Sequence, residues 1–107
     1  PETRDSTEVR RVPVMDQTDS YLKYLSGGKP GETIQLNDAL TTIGVPGVQV
    51  AAVSKRPQGH FIIHVDGGKD RNKTPIVNGE PIGFKSRKLA MGDQIDVANL
   101  RLEYCFD

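Results

Sequence analysis

The chemistry this sequence is best equipped for is the capture of an anion. Ser54, Lys55 and Arg56 put a hydroxyl and two cations at consecutive positions, and Lys69, Arg71 and Lys73 form a second basic cluster. A phosphate dianion needs several converging donors, and charge-assisted bonds from Arg or Lys are the strong ones. The plain alternative is that solvated loops often carry Lys and Arg without binding anything.

Other chemistries find less support. His60 and His64 are four apart, a metal-ligand spacing on a helix. On a strand they share a face but lie roughly 13 Å apart, too far to hold one ion. The stretch Ser26, Gly27, Gly28, Lys29, Pro30, Gly31 is glycine-rich, yet it lacks the spacing and the following helix of a nucleotide-binding loop. No nucleophile is paired with a base and no two carboxylates are set for acid–base work, so the chain is expected not to be an enzyme and to need no cofactor or metal. The single Cys105 excludes an internal disulfide and gives no metal-site spacing. It falls on the polar side of its strand, where partial exposure is expected, and nothing nearby in sequence would activate it. A lone cysteine agrees with a reducing, cytoplasmic compartment.

The elements that must position these residues are strands. With 107 residues there is room for one domain, and eleven Gly and seven Pro divide it into short pieces. Strands are expected at 21–25, 32–36, 41–43, 48–53, 60–65, 75–77 and 100–106. Period-two alternation is clearest in the last, where Leu100, Leu102, Tyr104 and Phe106 alternate with Arg101, Glu103 and Cys105. In 60–65, Phe61, Ile63 and Val65 take one face and His60, Ile62 and His64 the other. Asn78 and Gly79 have the left-handed tolerance of a tight hairpin turn, and Gly92 with Asp93 marks another turn. No segment carries a three-turn helical stripe, so the fold class is all-β, a two-sheet antiparallel sandwich.

From about Tyr21 to Phe106 the order of motifs resembles a forkhead-associated domain. The pieces that carry the resemblance are Thr42-Ile43-Gly44, Val53-Ser54-Lys55-Arg56, Phe61 to Val65, Ile76-Val77-Asn78-Gly79, Leu89 to Ile95 with Gly92-Asp93, and the closing strand Leu100 to Phe106. The resemblance implies a sandwich whose loops at one end bind a phosphothreonine peptide, as an interaction module in signalling. It also implies that the Ser54 turn and the Lys69–Lys73 loop meet at that end, with Ser54, Lys55, Arg56, Asn72 and Lys73 as the phosphopeptide site. Three positions depart from the family pattern: Val45 stands where the family keeps its phosphate-binding Arg, Pro57 where it keeps a His, and Lys73 where it keeps an Asn, with Asn72 one residue off. A phosphate-independent interaction or scaffold module is therefore the competing expectation.

Residues 1–19 are polar and aperiodic, the pattern of a flexible arm ahead of a domain at 20–107. Residues 1–20 carry a net charge of −2 and the remainder +2, so the whole is neutral. Neutrality argues against bulk attraction to nucleic acid or anionic lipid, and the basic loops lack the aromatics a single-strand binder would use. No stretch comes near the roughly 18 apolar residues of a membrane span. The expected partner is a protein or phosphoprotein. Forkhead-associated proteins can be regulated by phosphorylated arms, so the resemblance also points to Thr7, or else Thr18, folding back as an internal ligand.

Overall fold

The structure, a computed structural model, describes residues 20–27 and 29–106. Among the described residues ten strands run in chain order: β1 Tyr21–Ser26, β2 Thr33–Gln35, β3 Leu40–Val45, β4 Gln49–Arg56, β5 Gly59–Asp66, β6 Ile76–Val77, β7 Glu80–Pro81, β8 Arg87–Lys88, β9 Gln94–Val97 and β10 Leu100–Cys105. They form two antiparallel sheets, one ordered β2-β1-β10-β9-β6-β7 and the other β3-β4-β5-β8. The molecule is an all-β sandwich. Among the described residues no helix is long and apolar enough to cross a membrane.

Alternation explains which faces meet. Leu22, Ile95, Val97, Leu102 and Tyr104 of the first sheet face Ile43, Ala51, Val53 and Ile62 of the second, and all are buried. Each fully buried aliphatic side chain contributes roughly 1.5–3 kcal/mol against exposure. With no Trp in the chain, Tyr104 is the one buried aromatic carbocycle of this cluster among the described residues, and partly buried Tyr24 packs against the cluster.

The closing segment differs from expectation. The last strand stops at Cys105, and Phe106 turns outward, 41% exposed, with its ring 5.9 Å from that of Tyr104. Cys105 is buried rather than partly exposed, and burial pushes its thiol pKa up, the opposite of activation. Strand β9 was not expected separately, although Ile95 and Val97 alternate as a strand should.

One end of the sandwich is closed by turns bonded to each other. Asn78 adopts a left-handed conformation (φ 53°) followed by Gly79 (φ 85°), as a two-residue hairpin between β6 and β7 requires. The Asn78 amide donates to Asp93 Oδ1 (2.9 Å) and accepts from the Gln94 N–H (2.9 Å), while Asp93 Oδ2 accepts from the Ala90 N–H (2.9 Å). Asn78 thus joins two turns as well as shaping one.

Beneath this end lies a buried polar group of unusual placement. His60 Nε2 lies 3.3 Å from the Leu36 carbonyl and Nδ1 lies 2.8 Å from the Tyr104 hydroxyl. A carbonyl only accepts, so Nε2 carries the proton and neutral His60 receives the Tyr104 O–H at Nδ1. The Tyr104 oxygen is also 3.3 Å from Ser20 Oγ. Burial lowers the His60 pKa below its usual 6.5, the Leu36 bond opposes this, and the Lys55 charge adds to it.

The sign of the resulting pH dependence follows. Below about pH 6.5 the unfolded chain protonates His60 while the folded one resists, so stability falls with falling pH. We expect the urea midpoint to decline between about pH 7.5 and pH 5, and the decline to be shallower in His60→Gln. An identical slope in both proteins would assign the dependence to other groups.

Candidate functional site

The pairing of β4 with β5 decides which loops share an end. Arg56 lies opposite Gly59, Ser54 opposite Phe61 and Val50 opposite Asp66. Ser54, Lys55 and Arg56 are therefore the last residues of β4, beside a turn at Pro57 and Gln58. The loop with Lys69, Arg71, Asn72 and Lys73 leaves from Asp66, at the opposite end. From Val50 to Ser54 and Arg56 the strand covers roughly 13–20 Å. The expected five-residue phosphopeptide site is not assembled: Asn72 and Lys73 share one loop, and Ser54, Lys55 and Arg56 stand at the far end.

Two of the far-end trio are also engaged. Arg56 Nε donates to Ser54 Oγ (3.3 Å), and its guanidinium sits 4.5 Å above the Phe61 ring. Such a cation–π contact is worth about 0.5–1 kcal/mol at a partly exposed site. Lys55 points to the other face, level with His60. A polar Ser-Lys-Arg run before Pro57 looks like a turn in sequence, yet here it is strand, because Pro57 presets the hairpin just beyond it.

At the opposite end three connections converge. Residues 45–48 form a tight turn closed by Val48 N–H to the Val45 carbonyl (2.9 Å), with Pro46 and then Gly47 (φ 84°) at its corners. The 66–75 loop is ordered by its own carboxylates: Asp66 Oδ1 accepts from the Gly68 N–H (2.8 Å) and Asp70 Oδ1 from the Asn72 N–H (2.9 Å). The two loops touch, since a Cβ on Gly68 would lie 2.3 Å from the Val48 carbonyl oxygen. The third connection is the β9–β10 turn, where Ala98 (φ 53°) and Asn99 (φ 64°) are both left-handed. Its Ala98 N–H donates to Oε1 of buried Gln49 (2.9 Å), tying the two sheets together.

Two hollows flank Lys73. One, of about 340 Å³, is lined by Gly47, Val48, Gly67, Lys69, Asp70 and Lys73. The other, of about 310 Å³, opens beside the β9–β10 turn and reaches Gln49. Val45 (39%) and Val48 (42%) are exposed at the rim of this end. Among the described residues Lys69, Arg71 and Lys73 make no ion pair. Sequence reasoning missed Gln49, Ala98 and Asn99. The available signal was a lone Gln within the otherwise apolar run 48–53.

His60 and His64 serve separate contacts, His64 packing edge-on against Phe84 with ring centres 5.4 Å apart. No three of His, Cys, Asp and Glu among the described residues are grouped to hold a metal ion. Thr7 and Thr18, the proposed internal ligands, lie outside the described residues, as does the expected arm at 1–19. No protein-family model and no curated protein matches this chain.

The geometry at Gly44 gives a test of how tightly this end is built. Gly44 has φ 113°, and a Cβ there would lie 2.2 Å from the Gln49 carbonyl oxygen, whereas Gly47 has open space around it. Gly44→Ala is expected to cost about 2–3 kcal/mol and Gly47→Ala about 1 kcal/mol, read as urea midpoints. Equal costs would show that the β3–β4 connection yields more readily than its close contacts imply.

Proposed function

We propose that this chain is a protein–protein interaction module without catalytic activity, acting in the cytoplasm in signalling. Its partner segment lies across the end built from residues 45–48, 66–75 and 98–99. The observation that carries the reading is the meeting, on a rigid sandwich, of exposed Val48 with Lys69 and Lys73, which make no ion pair among the described residues, around one hollow, with exposed Val45 in the same turn. Binding residues on loops held by a rigid scaffold are the common arrangement for recognition. The order of motifs that resembles a forkhead-associated domain supports the same class, with a phosphate site that has degenerated.

Phosphate-independent recognition is the favoured form. The 45–48 turn offers apolar side chains and no hydroxyl or cation, so a dianion would be held from one loop only. The separation of Ser54, Lys55 and Arg56 from that loop removes the other donors the phosphothreonine reading relied on. A second reading keeps the phosphothreonine and seats it on Lys69, Arg71 and Lys73, and it is favoured by the absence of acidic partners for these three among the described residues.

Binding to a degenerate threonine peptide library, beside its phosphorylated twin, tests both. We expect selected peptides to bind in either form and the double variant Val45→Ser, Val48→Ser to weaken them about tenfold, since losing apolar burial there costs at least about 1.4 kcal/mol. The pair Lys55→Ala, Arg56→Ala should leave affinity unchanged. Selective binding of phosphorylated peptides, abolished by Lys69→Ala with Lys73→Ala, would establish the second reading instead. Binding that depends on Lys55 and Arg56, or no binding at all, would overturn the proposal.

A further inference from the structure

Gln49 is a buried side chain with only half of its amide in use. It is 2% exposed, and Oε1 accepts the Ala98 N–H at 2.9 Å. A backbone N–H requires an acceptor, which fixes the orientation of the amide. Nε2 therefore presents two N–H donors, and it has no hydrogen-bond partner among the described residues. A buried donor left unmatched costs about 1–3 kcal/mol. The fold retains this cost at the point where β4 is tied to the β9–β10 turn.

The unmatched donor belongs to a residue that lines the 310 Å³ cavity, and several side chains around it can also donate. Ser26, Lys73, Thr74 and Asn99 share the wall. Thr74 Oγ1 accepts from the Gly83 N–H at 3.1 Å, which leaves its hydroxyl hydrogen to donate. The carboxylate in the wall, Asp96, is matched by Arg101 through bonds of 2.8 and 3.3 Å. What remains is the unmatched Gln49 donor and one cation, Lys73, which makes no ion pair among the described residues. An acceptor-only group with a single negative charge complements that set. A phosphate dianion would call for more than one charged donor, and the volume is at the small end of ligand pockets.

We infer that this cavity receives a carboxylate, one oxygen taking the Lys73 ammonium and the other the Gln49 Nε2 donor, which is covered in the free protein and is uncovered by a small shift of the side chain. The source of the carboxylate, an acidic group on a bound partner peptide, rests on the interaction-module reading above. The cavity and its unmatched donor stand without it. Recognition of this kind would select partners by a group that the exposed valines cannot read.

The experiment is an NMR titration of the ¹⁵N-labelled chain with sodium acetate. Sodium chloride at equal ionic strength and neutral acetamide serve as comparisons. N-acetyl-trialanine with a free carboxylate is then tested beside its C-terminal amide. Saturable shifts are expected at the Gln49 side-chain amide and at the Ala98 and Thr74 backbone amides, with acetate and the free acid only. Gln49→Glu keeps an acceptor for the Ala98 N–H but replaces the donor with a like charge. It should weaken acetate about tenfold or more, a loss of about 1.4 kcal/mol or greater. Lys73→Met, at an exposed position, provides the same reading if Gln49→Glu disturbs the fold. Shifts reproduced by chloride or acetamide, or a Gln49 amide that contacts only a long-lived water and ignores acetate, would overturn the inference. Library peptides that bind the loop end equally as acids and amides, with Gln49 silent, would also overturn it while leaving the module reading intact. Acetate binding at Gln49 without any peptide binding would keep the site and remove the module reading.

Discussion

The antiparallel register of β4 against β5 is the constraint on which the rest of this molecule depends. Val53 lies opposite Ile62 and Arg56 opposite Gly59, across a turn of only two residues. Because side chains alternate with period two, a slip of one residue would turn Ala51, Val53 and Ile62 out of the core. The register also sends residues 45–49 and 66–75 to one end and 54–59 to the other. The edge strands β3 and β8 are built onto this pair, so the whole second sheet inherits its polarity.

Two buried polar contacts hold the sheets to each other, one toward each end. His60 reaches across to Tyr104 and to the Leu36 carbonyl, and Gln49 reaches across to Ala98. Apolar contacts alone tolerate sliding, whereas a buried polar group loses free energy as soon as its partner moves away. These contacts therefore help to set how the sheets sit, in a core with little aromatic bulk. They differ in one respect. Both ring nitrogens of His60 are matched, while the Gln49 amide is matched on one side only.

That difference parallels the contrast between the two ends. At the closed end Asn78 and Asp93 satisfy each other and the neighbouring turn, leaving few polar groups free for a ligand. At the open end Asp66 and Asp70 shape the backbone of their own loop, and the basic side chains there make no ion pair among the described residues. Loop order is thus maintained by carboxylates, and the segment 66–73, with three cations against two carboxylates, still carries one net positive charge. A surface of this type combines a fixed shape with charge left over for a partner.

The sequence by itself determined the class of the fold. Alternation in 60–65 and 100–106, the Asn78-Gly79 hairpin and the absence of any helical stripe are local features, and local features survive being read one residue at a time. It also placed Asn72 and Lys73 in a loop that the structure puts at the open end. It could not reveal that Ser54, Lys55 and Arg56 finish a strand, because a polar run before a proline has the same composition in a strand end as in a turn. Nor could it reveal Gln49 with Ala98, a bond between residues 49 positions apart. Which loops meet is set by strand pairing, and pairing joins distant segments through backbone bonds that carry no residue signature. Only the tertiary structure could decide which end holds the site.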